Sequence, residues 1–124
     1  MTMKYLGRTA LIGMMFAITA VTMVAQERWF DEYSDVTQVE ERIHLDDFGA
    51  YLSKDSRLVG YIAFQVGPRD KISIIQNRTR RARAYVAREF KLSVRRIHIV
   101  YLGRGERTRF ILQPLPPGKP FPSS

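Results

Sequence analysis

The segment Asn77–Phe90, NRTRRARAYVAREF, carries five arginines and still keeps a single apolar stripe. At 100° per residue, one narrow sector of a helix holds Ile75, Thr79, Ala82, Val86 and Phe90. The arginines outside that sector are Arg80, Arg81, Arg83 and Arg88. This pattern predicts an amphipathic helix that packs on a sheet through the stripe and exposes its cations to solvent.

Arg78 differs from the other arginines, because it falls on the edge of the apolar sector, one turn before Ala82. We therefore expect its side chain to lie against the body of the domain. One interpretation is that its stem packs on the core while its charged head reaches water. The other is that an arginine held at the start of a helix binds an anion.

The amino-terminal segment, Met1–Ala25, has the layout of a secretory signal peptide. Lys4 and Arg8 precede an uncharged run of 17 residues, and polar sequence begins at Gln26. We expect cleavage after Ala25 and export to the periplasm or cell envelope of a bacterium, which the absence of cysteine also fits. The alternative is an uncleaved anchor, although the run is shorter than the roughly 20 residues of a membrane span.

The charge of the remaining chain is unevenly divided. Residues 26–68 contain 4 Lys/Arg against 9 Asp/Glu, whereas residues 69–124 contain 14 against 3. This asymmetry predicts a basic face that attracts anions, such as an acidic cell-wall polymer or anionic lipid. Because we expect the chain to be exported, we expect no nucleic-acid partner. The alternative explanation of the uneven charge is that it serves only the solubility of the protein.

A first helix is predicted for Val36–Ser53, because Leu45, Phe48, Gly49 and Leu52 recur at i, i+3, i+4 and i+7. A weaker second stripe indicates contacts on two sides of this helix; it consists of Val39, Ile43 and Ala50. We expect Asp46 and Asp47 to form a solvated face.

Strands are predicted at Arg28–Tyr33, Leu58–Val66, Ile97–Leu102 and Thr108–Leu112. The last two flank a turn at Gly103–Glu106 and should pair as an antiparallel hairpin. The order predicts an α/β (α+β) two-layer sandwich, β-α-β-α-β-β, with a mixed four-stranded sheet and two helices on one face. Since Pro114 cannot continue a sheet, residues 26–113 form the domain and residues 114–124 an extended, Pro-rich tail that is disordered at its end.

Several segments, in this order, resemble the OmpA-like periplasmic domain. They are Phe30-Asp31, Leu45-Asp46-Asp47-Phe48, Val59-Gly60-Tyr61-Ile62, the arginine helix, Leu92-Ser93-Val94-Arg95-Arg96-Ile97 and the closing strand from Arg107 to Leu112. The resemblance covers nearly the whole chain after residue 25. It implies the β-α-β-α-β-β fold and association with peptidoglycan at the cell envelope, beneath the outer membrane.

The resemblance also implies a ligand site. In the family, an aspartate after the second strand and an arginine early in the second helix bind the carboxylate and amine of diaminopimelate. By position, Asp70 matches the aspartate and Arg78 the arginine, with Arg81 one turn later as a substitute.

Two further interpretations remain open beside this one. In the first, a basic surface binds an anionic envelope component or an acidic protein without a specific pocket; its members are Arg80, Arg81, Arg83, Arg88, Arg95, Arg96, Arg104 and Arg107. In the second, the domain has lost the family ligand and is structural.

Catalysis is not expected. No nucleophile and base, phosphate loop or carboxylate pair is recognisable, and His44 and His98 lack the spacing of metal ligands. We therefore predict a binding domain that is not an enzyme and has no metal or cofactor. The sequence predicts no membrane span after cleavage and leaves the oligomeric state open.

Overall fold

The computed structural model describes residues 29–122, so the predicted signal peptide, residues 1–25, lies outside the described residues. Five regular elements lead to the closing strands: β1 Asp31–Tyr33, α1 Gln38–Lys54, β2 Val59–Val66, α2 Ile72–Glu89 and a single 3₁₀ turn, Val94–Arg96. The closing strands are β3 Ile97–Arg104 and β4 Arg109–Leu115. Within residues 29–122, no helix has the length and apolarity needed to cross a membrane.

The four strands form one mixed sheet in the order β1-β4-β2-β3. β2 and β3 are parallel, and β4 is antiparallel to both of its neighbours, β1 and β2. α1 packs on β1 and β4, and α2 packs on β2 and β3. The predicted fold class, with two helices on a mixed four-stranded sheet in the order β-α-β-α-β-β, is confirmed.

The predicted hairpin between β3 and β4 is wrong, because β4 lies between β1 and β2 and does not pair with β3. The connection crosses the carboxyl end of β2: the Gly105 N–H donates to the Val66 carbonyl at 3.0 Å. The Gln65 side chain in turn donates to the Arg107 carbonyl at 2.9 Å. Phe110, Ile111 and Leu112 are all buried, and a strand with apolar side chains on both faces belongs inside a sheet rather than at its edge.

The main apolar stripes of both helices are confirmed. α1 buries Leu45, Phe48, Gly49 and Leu52, and α2 buries Ile75, Thr79, Ala82 and Val86. Thr79 is satisfied in the core because its hydroxyl donates to the Ile75 carbonyl at 2.8 Å. The second stripe of α1 makes no such contact and that prediction is wrong: Val39 and Ile43 are 69% and 60% exposed.

Up to residue 122, the carboxyl-terminal segment returns to the domain instead of extending away from it; the disorder predicted for its very end, residues 123–124, lies outside the described residues. β4 continues to Leu115 and pairs Pro114 with Gly60, so the prediction that the sheet ends before Pro114 is wrong. Pro114 lies beyond Leu112, the last β4 residue that pairs with β1, so at this position the strand is bonded to β2 alone. A proline, which has no N–H, is tolerated at such an edge position. Further on, the Phe121 ring stacks on Trp29 at 5.2 Å.

Gly60 is required where β2 passes beneath α1. A Cβ atom at this position would lie 2.7 Å from Leu52 Cδ1 and 2.9 Å from Phe48 Cζ, and both of those side chains are fully buried. We therefore expect Gly60→Ala to lower the free energy of unfolding by about 1–3 kcal/mol, measured by urea denaturation.

The matched control for this prediction is Leu52→Val, which removes the atom that the new methyl group would meet. Because the two side chains touch, Leu52→Val should cost less in the Gly60→Ala background than in the native chain. Additive losses, or a Gly60→Ala variant as stable as the native chain, would contradict the predicted contact.

Candidate functional site

A groove of about 560 Å³ lies between α1 and α2. We call it the arginine groove; its polar walls consist of Gln38, Glu41 and Arg42 of α1 and Arg78, Arg81, Tyr85 and Arg88 of α2. The α2 residues are spaced i, i+3, i+7 and i+10, so they share one face of the helix. Leu45 and Ala82 supply apolar surface between the walls. Among residues 29–122, four arginines and one carboxylate line the groove, and together they give it an excess of positive charge.

Arg78 is held at the inner side of the groove by two contacts. Its Nε donates to Glu41 Oε2 at 3.2 Å, and its guanidinium carbon lies 4.8 Å from the centre of the Phe110 ring. The Glu41 carboxylate also accepts the Tyr33 hydroxyl at 2.8 Å. The Arg78 side chain is only 25% exposed, so it lies against the body of the domain as expected, but with its charge paired within the protein.

The structure does not place Arg78 at the start of its helix. α2 begins at Ile72 rather than near Asn77, because Ile75 extends the buried stripe by a turn and the Ile75 N–H already bonds to the Lys71 carbonyl. Arg78 is therefore about 9 Å along the axis from the first helical residue. At that distance the free N–H groups of the helix end do not act with it on an anion.

Asp70 and Arg78, the predicted pair, are bonded to different parts of the protein. The Asp70 carboxylate accepts the Thr108 hydroxyl, and the Asp70 carbonyl accepts Arg104 Nη1 at 3.0 Å, so Asp70 ties the loop after β2 to the start of β4. Among the described residues, no hydrogen bond or ion pair joins Asp70 to Arg78.

The predicted basic surface divides into free and bonded cations. In the described part of the chain, no hydrogen bond or ion pair involves the side chains of the first group, which consists of Arg80, Arg81, Arg83, Arg95 and Arg107. Arg88 has only a long contact with its neighbour Glu89, at 3.6 Å. Arg104 is bonded instead, donating through Nη1 to the Gly67 and Asp70 carbonyls.

Among the arginines of the predicted basic surface, Arg96 makes the most hydrogen bonds within the domain. Its Nη2 donates to the carbonyls of Leu52, Asp55 and Leu58 at 2.9–3.0 Å. These carbonyls lie at the end of α1 and in the turn before β2, where the last turn of a helix leaves carbonyls unpaired. Arg96 is half-buried and holds α1, β2 and the start of β3 together.

A stacked group of rings lies next to the Arg78–Glu41 pair. The Tyr33 ring is stacked between His44, at 4.8 Å, and Phe110, at 5.1 Å. His44 Nδ1 lies 2.6 Å from Asp31 Oδ2, so this histidine connects α1 to β1. Within residues 29–122, no three His, Cys, Asp or Glu side chains are grouped as a metal ion requires.

The site residues predicted from the sequence include part of the α2 wall of the groove and none of the α1 wall. Arg81 was a predicted site residue, and the spacing of Arg78, Arg81, Tyr85 and Arg88 on one face is readable from the sequence. Arg42 and Glu41 were not predicted, because assigning them requires knowing which face of α1 meets α2. The guanidinium of Arg42 lies 5.7 Å from the centre of the Tyr85 ring.

A scan against protein-family models and a search of curated proteins find no match for this chain. The resemblance to the OmpA-like periplasmic domain therefore stays a prediction. By its own geometry, residues 29–122 form a small α+β domain with a basic groove between its two helices.

The bonds of Arg96 make a prediction about stability. We expect Arg96→Ala to lower the free energy of unfolding by about 2–3 kcal/mol, because it leaves carbonyls near the end of α1 without their charged donor. Arg95→Ala is the matched control: the Arg95 side chain is exposed and makes no bond within residues 29–122, so the loss of stability should stay within about 0.5 kcal/mol. Equal losses in urea denaturation would contradict the structural role of Arg96.

Tyr33 makes a prediction about alkaline stability. Burial, and then the charge of Glu41, raises the pKa of Tyr33 above the usual value of 10.0. Below pH 10 both folded and unfolded Tyr33 are protonated, whereas above it only the unfolded chain releases the proton, so stability falls as pH rises. We expect Tyr33 to contribute a slope that approaches about 1.4 kcal/mol per pH unit above pH 10, so the alkaline loss should be clearly smaller in Tyr33→Phe, measured by urea denaturation from about pH 9 to about pH 11. The same alkaline slope in Tyr33→Phe would contradict the assignment.

Proposed function

We propose that this chain is an exported, non-catalytic binding domain that holds an anionic envelope polymer in the arginine groove. In this proposal residues 1–25 act as the signal peptide. The observation that carries it is the charge of the groove: Arg42, Arg81 and Arg88 are exposed there, and Glu41, the only carboxylate among the described residues that line it, is already paired with Arg78.

The arrangement suits a chain of repeated anions. Arg81 and Arg88 lie two turns apart on α2, about 10 Å along the axis, and Arg42 faces them from α1. Each guanidinium can bind a carboxylate or phosphate through two parallel hydrogen bonds. The Tyr85 ring between them offers apolar surface, and its hydroxyl donates to Asp46 at 2.8 Å.

Peptidoglycan is the anionic polymer that the OmpA-like resemblance suggests. The groove would bind its stem-peptide carboxylates through Arg81, Arg88 and Arg42, with Arg78 fixed by Glu41 as part of the wall. This differs from the Arg78 and Asp70 clamp predicted from the sequence. That clamp requires Arg78 to leave Glu41 and Asp70 to leave Thr108, so it is the second candidate.

The test is sedimentation of the exported chain with purified, insoluble peptidoglycan at low and at roughly physiological salt. We expect the native chain to pellet, with weaker binding at the higher salt because exposed charges are screened beyond about 8 Å. Arg81→Glu should weaken binding about tenfold or more, since it removes a charge-assisted contact and adds repulsion.

Two control variants distinguish the alternatives. Arg95→Glu changes an exposed, unbonded arginine outside the groove by the same charge, and we expect less than a twofold loss. Equal losses from Arg81→Glu and Arg95→Glu would indicate a diffuse basic surface. A loss confined to Arg78→Ala, in a variant that remains folded, would indicate the Arg78 clamp. No pelleting at either salt would overturn a wall ligand and favour an acidic protein or a purely structural domain.

A further inference from the structure

The outer side of β3 has no paired strand among the described residues. β3 is last in the order β1-β4-β2-β3 and runs over eight residues, whereas the opposite edge strand, β1, has only three. An edge strand presents a row of unpaired N–H and C=O groups to solvent. The β3 edge is therefore the longer of the two open edges in this part of the chain.

β3 lacks the features that usually prevent an edge strand from pairing. From Ile97 to Leu102 it contains no proline and no Lys, Arg, Asp or Glu. The register shift against β2 comes only after Phe64, at the far end of the strand, where Gly103 has a φ of 90°. From Ile97 to Tyr101 the strand is therefore regular, and it carries no residue that would block pairing with another strand.

The side chains beside this edge leave apolar surface on both faces of the sheet. Ile99 and Tyr101 lie on the helix face, and Tyr101 is 46% exposed. Val100 and Leu102 are half-buried, and alternation places Val100 on the other face. An added strand with apolar side chains at alternate positions would therefore contact them.

Charge decides what kind of strand fits. The exposed Arg95 and Arg107 come before and after β3 in the chain, and their side chains make no hydrogen bond or ion pair among the described residues. An antiparallel second copy would bring the Arg95 end of one strand against the Arg104 end of the other, and opposed like charges are destabilising. The edge instead complements a segment with acidic ends.

We propose that the β3 edge binds an extended segment of a partner protein as a fifth strand of the sheet. The segment has apolar residues at alternate positions and Asp or Glu at both ends. This site is separate from the arginine groove, because α2 faces α1 through Arg81 and Tyr85, whereas Arg83 and the buried Ala87 lie on its other flank, towards β3.

The probe is a synthetic peptide of alternating Val and Thr between two Glu pairs, titrated into the exported chain and followed by fluorescence anisotropy. A matched peptide carries Lys in place of Glu. Two further peptides carry backbone N-methyl groups at one or the other set of alternate residues. An added strand bonds through one side of its backbone only, so we expect one N-methylated set to weaken binding about tenfold or more and the other to leave it within about twofold.

Hydrogen exchange and two variants complete the test. The acidic peptide should slow amide exchange at alternate residues between Ile97 and Leu102. Arg95→Glu should weaken its binding several-fold, whereas Arg81→Glu, the groove variant, should leave it unchanged, so that failure of the groove and failure of the edge are distinguishable. The proposal is overturned by equal effects of both N-methylated sets, by equal binding of the Lys peptide, by no binding, or by a β3-paired dimer of the chain.

Discussion

The sheet depends on β4 being paired on both sides. This last strand bonds to β2 from Gln65 to Val59 and to β1 through three residue pairs, so it connects the first strand of the described chain to the rest. β1 has no other neighbour in the sheet of residues 29–122. The helix layer depends on it too, because the Phe110 ring contacts Tyr33 and Arg78, and Tyr33 in turn stacks on His44. Since β1 and β4 are so far apart in the chain, the first strand has no place to pair until the last one is in position.

The charges of the chain have two distinct uses. Arg78, Arg96, Arg104 and Arg109 are bonded to carboxylates or carbonyls within the domain, where they connect helices, loops and strands. Arg81 and Arg95 are exposed and unbonded among the described residues, and only such cations are available to a partner. The net charge of +8 is therefore larger than the charge that the folded surface can offer to a partner.

Periodicity predicted the elements, because the stripes of α1 and α2 depend on spacing within a short segment. Strand pairing could not be predicted the same way: the turn after β3 has the composition of a hairpin, yet the sequence of β4 favours a position buried on both faces. The roles of the individual arginines could not be predicted from the sequence either. Arg95 and Arg96 are identical neighbours in sequence, and only the carbonyls at the end of α1, distant along the chain, distinguish them.

The stacking of Trp29 on Phe121 brings the two ends of the described chain together. Phe121 also lies 5.7 Å from Tyr61, which is on the sheet face opposite the helices because its neighbours Gly60 and Ile62 face α1 and the core. A tether or fusion partner attached at either end would thus leave from the same region, behind the sheet. The helices and the groove between them would then lie on the opposite face of the sheet, away from the attachment.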